Sequence, residues 1–142
     1  MNIHRLLLLL PLSAGLPLAA ADLDVVLTGF RHTDGQVLVG VATAAASFPS
    51  SPQFNTTAVI DASTRTAKAH FTGLPAGAVA VSVIHDRNRD GKLGTNFLGI
   101  PTEPVGASNN AKGRMGPPAF ADAQIELRDG TNEVRIVMGA AK

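Results

Sequence analysis

The side chains of this sequence that could act together chemically lie in one polar stretch, residues 86–96. Oxygen-bearing side chains stand there at every second position, and a glycine follows them. Calcium loops use this spacing, because short oxygen ligands at alternate residues converge on an ion ahead of a glycine-dependent turn. The predicted metal ligands are Asp86, Asn88, Asp90, the backbone carbonyl of Lys92, and Asn96.

This calcium pattern is incomplete. The twelfth position of the loop holds Phe97, where calcium loops carry a bidentate glutamate. A full site needs about 6–8 oxygens, so Glu103 or Asp122 would have to contribute, and the affinity is expected near ~10⁻⁴ to 10⁻³ M. The alternative is that the same side chains accept hydrogen bonds in Asx-turns, with Gly91 left-handed and no ion bound.

Apolar residues recur with a period of two after residue 22, and that period predicts β-strands with one buried face. The predicted strands cover residues 23–28, 36–41, 67–72, 79–84, 123–127 and 133–138. Residues 79–84 are apolar on both faces, as expected of a central strand. No window predicts an amphipathic helix. The pattern therefore predicts an all-β fold, a small antiparallel sandwich of about seven strands.

The alternation stops between Gly94 and Ala119, which predicts one long, ordered loop. Within it, Phe97, Leu98 and Ile100 are expected to fold back onto the sandwich as an apolar plug, with Leu93 tethering the loop to the core. Residues 108–110, Ser-Asn-Asn, are expected to cap backbone groups that have no strand partner.

The sequence does not predict a catalytic arrangement of side chains. Ser82 and His85 lie an odd number of residues apart on one predicted strand, so they face opposite sides and form no triad with Asp86. His85 is expected to be a strand-end residue that is hydrogen-bonded to the loop. The alternative function is a hydrolase or lyase with a site formed by residues 85–120. Such an enzyme would have to bring together His85, Asp86, Asp90 and Glu103.

The first 21 residues predict a secretory signal peptide, followed by one domain over residues 22–142. A weakly basic start precedes the apolar run Leu6 to Leu10, and small residues end at Ala21. Removing this segment would leave 11 basic and 11 acidic residues, a balance that gives no electrostatic footprint for nucleic acid or an anionic membrane. The chain has no cysteine for disulfides and no Trp or Tyr for a carbohydrate platform.

Three runs carry a resemblance to a known family: GLPAG, HDRNRDGKLGTNFLGIPTEPVGASNN and GPPAFADAQIEL. Over roughly residues 23–138 the chain resembles the secreted bacterial domain-of-unknown-function family twenty-one forty-one. The resemblance implies export and an immunoglobulin-like sandwich, similar to transthyretin-like and carboxypeptidase-regulatory domains. It implies no established activity. The family usually carries an Asp where this chain has Gly94.

Together these observations predict a secreted or periplasmic module that is non-enzymatic and acts by binding or as a structural part. Its expected partner is a protein or a component of the cell envelope, not nucleic acid, and no membrane span is expected after signal cleavage. The expected working surface is the loop set of residues 86–120. A concave pocket lined by the loop's polar side chains would favour the enzyme instead.

Overall fold

A computed structural model describes residues 20–139 and shows an all-β protein whose eight strands form two sheets. The strands are β1 (Ala20–Thr28), β2 (Gln36–Ala42), β3 (Phe54–Ala58), β4 (Ala67–Pro75), β5 (Gly77–Asp86), β6 (Val105–Ala107), β7 (Gln124–Leu127) and β8 (Gly130–Val137). One short helix, α1 (Phe120–Ala123), and a 3-10 turn over Ser108–Asn110 complete the described elements. The predicted all-β class is confirmed.

The two sheets enclose the main core. The first sheet has the order β4-β1-β8, and the second has the order β3-β2-β5-β6, with β7 also paired to β5. The alternating apolar residues of β1, β2, β4, β5 and β8 point between the sheets, and most of their side chains are fully buried. Period-two alternation thus produces this core directly, because successive side chains of a strand face opposite sides.

The central strand β5 is covered on both faces, as its sequence predicts. Its outer face carries Ala80, which packs in a second small cluster with Ala107 and Ala123. Phe48 and Phe120 close this cluster with their rings edge to face, 6.0 Å between centroids. The irregular stretches before β3 and after β6 therefore serve as a cover for the five-stranded sheet.

The 3-10 turn after β6 provides hydrogen bonds for backbone groups, as expected. The Ser108 hydroxyl accepts from the Val81 N–H at 2.9 Å and donates to the Ala123 carbonyl. The Asn109 amide donates to the Gln124 carbonyl at 2.8 Å, and the Asn110 side-chain oxygen accepts from the Val137 N–H at 2.8 Å. These side chains connect the short strands to both sheets.

Two features of the fold differ from the sequence prediction. β3 and β6 were not predicted, because β6 has only 3 residues and the polar residues 55–57 in the middle of β3 show no apolar alternation. β1 and β8 pair in parallel, from Ala21↔Gly130 to Thr28↔Val137. A parallel pair needs a long crossover, and here the whole intervening chain supplies it.

Ala20 and Ala21, the last residues of the predicted signal peptide, belong to β1, where Ala21 is fully buried opposite Leu74. The rest of that predicted segment lies outside the described residues. Within residues 20–139, no helix is long and apolar enough to cross a membrane.

Candidate functional site

The pairing of β2 with β5 brings together the polar residues of the candidate site. Gln36, the first residue of β2, stands opposite Asp86, the last residue of β5. The loop before β2 therefore lies against the start of the long excursion, residues 87–104. At this end of the sandwich, His85, Asp86 and Glu103 are buried, with exposed fractions of 1%, 0% and 7%.

Asp86 is surrounded by N–H donors. Its Oδ2 accepts from Nε2 of Gln36 at 2.7 Å and from the Gly91 N–H at 2.9 Å. Its Oδ1 accepts from the Asp90 N–H at 3.2 Å. Burial alone would raise the pKa of Asp86, but these donors and the Arg89 N–H outweigh it and hold the pKa below its ordinary value of 3.8. Asp86 is therefore an ionised, buried anchor for the backbone of residues 89–91.

Glu103 anchors the excursion from its far end. Its Oε1 accepts from the Arg87 N–H at 2.9 Å, and its Oε2 accepts from the Gly94 N–H at 2.9 Å. One carboxylate thus joins the end of the excursion to two earlier points in it. We call Asp86 and Glu103 the carboxylate clamp.

His85 fixes the neighbouring loop. Its Nε2 lies 2.7 Å from the Asp34 carbonyl oxygen, which can only accept, so Nε2 carries the proton. The ring packs edge to face on Phe30, 5.3 Å between centroids. Nδ1 meets no hydrogen-bond partner among the described residues. His85 is thus hydrogen-bonded to a loop, as expected, although the loop is the one before β2. Ser82 bonds elsewhere, to the Pro49 carbonyl at 3.3 Å, so no triad forms with it.

The residues after Asp86 form a chain of Asx-type turns. The Asn88 side-chain oxygen accepts from the Asp90 N–H at 3.2 Å, and Oδ1 of Asp90 accepts from the Lys92 N–H at 2.9 Å. Arg89 and Gly91 have positive φ, 61° and 74°. The geometry follows the Asx-turn alternative, because short side-chain oxygens satisfy backbone donors two residues further on.

Two arginines tie the excursion to the loop before β2. The Arg87 guanidinium lies 3.0 Å from Asp34, and this bond holds the pKa of Asp34 below its ordinary value. Both side chains are about half exposed, so the pair adds little stability. The Arg89 guanidinium donates to the Gly35 carbonyl at 3.1 Å.

Residues 94–102 form a small hairpin, which we call the tip hairpin. Thr95 and Pro101 form a bridge, and the Thr102 N–H donates to the Gly94 carbonyl at 2.9 Å. At the turn, the Asn96 side-chain oxygen accepts from the N–H groups of Leu98 and Ile100, at 2.9 and 3.0 Å. Asn96, one of the predicted metal ligands, therefore shapes this turn.

The expected apolar plug does not form. Phe97 is 95% exposed, Leu98 67% and Ile100 42%, and Leu93 at 36% exposure does not tether the loop to the core. The prediction was wrong because the bonds of Asn96 set a tight turn that directs Phe97 and Leu98 outward. The carboxylate clamp, rather than apolar packing, holds the excursion to the sandwich.

The folded loop does not fit a calcium site as it stands. An ionised carboxylate has about four acceptor positions, and those of Asp86 already face N–H donors. The side-chain oxygens of Asn88, Asp90 and Asn96 also accept backbone N–H groups. Within residues 20–139, no group of three or more His, Asp or Glu side chains is placed to hold a metal. Asp122 lies in α1 and not in this loop.

Calcium binding by the loop stays a prediction. If the loop rearranges around an ion, calorimetric titration of the protein should give heat with a Kd near ~10⁻⁴ to 10⁻³ M. Gly94→Asp should tighten binding, because it places a second carboxylate beside Glu103. Its Cβ would lie 3.3 Å from Oε2 of Glu103 and 2.9 Å from Oγ1 of Thr102, whose side chain has to move slightly. No heat from either protein at millimolar calcium would exclude the site.

A second polar cluster, which the sequence reading did not single out, lies on the outer face of the first sheet. Asp24 stands between His70 and Glu133 across three strands, and Nδ1 of His70 lies 2.7 Å from Asp24. They line a shallow cavity of about 320 Å³. Period-two alternation places all three on the solvent face, but only strand pairing aligns them. The pair is half exposed, at 54% and 46%, and resembles an ordinary surface contact.

The free energy of unfolding is expected to fall in acid. Ser63 lowers the pKa of Asp61, and those of Asp34 and Asp86 are also lowered. A carboxyl group with a depressed folded pKa stabilises the protein above its unfolded pKa, and this stabilisation is lost as pH falls through the folded pKa. Urea unfolding at stepped pH should show the loss below about pH 4. Asp86→Asn should flatten the decline, and a parent curve that stays level in acid would contradict this assignment.

Comparison with known proteins gives one match. No curated protein and no solved structure matches the chain. Residues 25–135 match the family described as "Uncharacterized protein conserved in bacteria (DUF2141)", which covers both sheets, the carboxylate clamp and the tip hairpin. The resemblance read from the sequence is thereby confirmed, and the chain belongs to this family of conserved bacterial proteins.

Proposed function

We propose that this protein is an exported, non-enzymatic binding module whose binding surface is the tip hairpin. One observation carries the proposal: Phe97 is 95% exposed at the end of a segment whose base is fixed by two buried, hydrogen-bonded carboxylates. Large exposed apolar side chains grouped together mark interaction sites more often than isolated ones do.

The clamp explains how such a tip could bind well. A loop that is ordered before it meets its partner loses less conformational freedom on binding, so more of the contact energy appears as affinity. Asp86, Glu103 and Asn96 supply this order through side-chain acceptors, and they leave the apolar side chains of the tip free for contact.

The arrangement of the polar groups supports a module rather than the hydrolase or lyase alternative. The carboxylate oxygens of Asp86 and Glu103 face backbone N–H groups of their own loop. A general acid or base must reach a proton on a substrate, and these oxygens are buried beneath the loop instead. His85 is likewise buried and directed at a carbonyl of the protein. The shallow cavity on the first sheet is lined by none of these three residues.

Export to the periplasm or the exterior forms part of the proposal. The basic start, apolar run and small residues of segment 1–21 support it. An expected partner is therefore a protein or another component of the cell envelope.

Site-specific photo-crosslinking tests this function in the producing cell. A benzophenone amino acid would replace Phe97 in one protein and Ala78 in a matched control. Ala78 is exposed at the start of β5, roughly 26 Å from Asp86 at the usual rise per strand residue. Adducts to a protein or to lipid at position 97 that are missing at position 78 are expected. Equal adducts at both positions, or none at 97, would show that the tip is not the binding surface.

A further inference from the structure

The tip hairpin pairs most of its backbone donors within the excursion. The N–H groups of Asn96, Gly99 and Thr102 donate to backbone carbonyls within the hairpin, each at 2.9 Å. Those of Leu98 and Ile100 donate to the Asn96 side chain, and Pro101 has no N–H. The N–H groups of Thr95 and Phe97 have no hydrogen-bond partner among the described residues. An unpaired backbone group costs several kcal/mol in the hydrocarbon core, so this degree of pairing suits a turn that stays in the hydrated interfacial layer.

Basic residues precede the hairpin. Lys92 and Arg89 form no ion pair with a carboxylate among the described residues, and Lys92 is exposed. Asp90 lies between them in sequence and is exposed as well, so the three leave one net positive charge. Lys and Arg at the edge of an apolar surface can keep their charged ends at the level of lipid phosphates while the apolar side chains go deeper.

From these contacts we propose, as an extension of the proposed function, that the tip hairpin docks on a lipid bilayer. Phe97, Leu98 and Ile100 enter the interfacial layer, and Lys92 meets the phosphates. Because basic and acidic residues nearly balance over the chain, long-range attraction to an anionic surface is small. Apolar insertion therefore provides most of the affinity, and the docking is weak and reversible.

A bilayer fits the tip better than a socket in a partner protein. Protein interfaces carry about one hydrogen bond per 100–200 Å² of buried area. The tip offers three purely apolar side chains, and its turn uses its own acceptor, Asn96, for its own donors. A lipid surface can bind such a tip through its apolar side chains alone. A protein partner would find few polar groups for hydrogen bonds.

The absence of cysteine allows a direct test at the tip. Leu98→Cys and the control Ala78→Cys would each be made in the full chain and labelled with an environment-sensitive fluorophore. The probe is vesicles of equal parts phosphatidylcholine and phosphatidylglycerol, with phosphatidylcholine alone as the second arm. A blue shift and brighter emission are expected at position 98 and not at 78. Because the label reports its own surroundings, binding through the apolar residues 6–10 would not produce this difference.

Two further variants identify the groups that act. Phe97→Ser with Ile100→Ser, in the Leu98→Cys protein, should lower the partition coefficient by at least about tenfold. Lys92→Gln should lower it about fivefold on the anionic vesicles and little on phosphatidylcholine. Urea midpoints of these variants should match the parent, since the altered side chains are exposed.

An unchanged spectrum at position 98, or the same change at 98 and 78, would overturn docking through the tip. The proposed function would still stand if position 97 then formed crosslinks to a protein in cells. If neither the fluorescence change at position 98 nor the crosslinks at position 97 occurred, the tip would not be a binding surface at all. Failure of lipid docking can therefore be distinguished from failure of the proposed function.

Discussion

Replacing Asp86 with alanine is expected to lower the free energy of unfolding by about 3–5 kcal/mol. The change removes an acceptor from the side chain of Gln36 and from the N–H groups of Gly91 and Asp90, in a place where the carboxylate is fully buried. Each buried donor left without a partner costs about 1–3 kcal/mol, and bonds to a charged acceptor are the stronger kind. The midpoint of urea unfolding, at unchanged slope, measures the loss.

Asp90→Ala is the matched control for this experiment. It also removes a carboxylate of the same loop, but Asp90 is exposed, and water can replace its bonds to Lys92 and Asn88. A loss below about 1 kcal/mol is expected. If both variants lost the same stability, the buried anchor would not be what holds the excursion.

Gly35→Ala is expected to cost about 3 kcal/mol or more. A Cβ on Gly35 would lie 2.3 Å from the Asp86 carbonyl oxygen and 2.6 Å from the Arg87 Cα, so two backbone segments would have to separate. That separation would strain the Gln36–Asp86 contact next to it. Gly35 also has φ +81°, which a residue with a side chain rarely adopts. Thermal and urea unfolding both measure this loss.

Gly91→Ala separates the cost of the steric clash from the cost of the positive φ. Gly91 has a similar φ of +74°, but a Cβ there meets nothing within 4 Å. Only the backbone preference is lost, which costs about 1–2 kcal/mol. Equal losses in the two variants would contradict the close approach of the loop before β2 to the start of the excursion.

Local patterns were enough to predict most of the strands. In β1 and β8, buried apolar residues occupy alternate positions as predicted, although Val26 and Val137 on the opposite faces are apolar as well. β3 was not predicted because its half-buried position 56 is occupied by a threonine, which does not extend an apolar alternation. β6 escaped because its sequence, Val105–Ala107, is too short for a period to be read.

The sequence predicted which residues form the candidate site, but not where their side-chain oxygens point. The spacing of Asp86, Asn88 and Asp90 correctly indicated a special loop and the left-handed Gly91. It could not show whether their oxygens face an ion or backbone N–H groups, because both arrangements use the same residues. The outward direction of Phe97 was likewise hidden, because an apolar residue in a loop suits burial and exposure equally.

The sequence by itself determined the all-β class, the central position of β5 and the polar stretch after it, since these follow from alternation and turn chemistry along the chain. Only the tertiary structure decided what that stretch does. Gln36 reaches Asp86 across 50 residues of sequence through the register of β2 on β5, and Glu103 reaches Arg87 across 16 through the return of the chain into β6. Contacts of this kind depend on strand pairing, and strand pairing is a property of the whole fold rather than of any short segment.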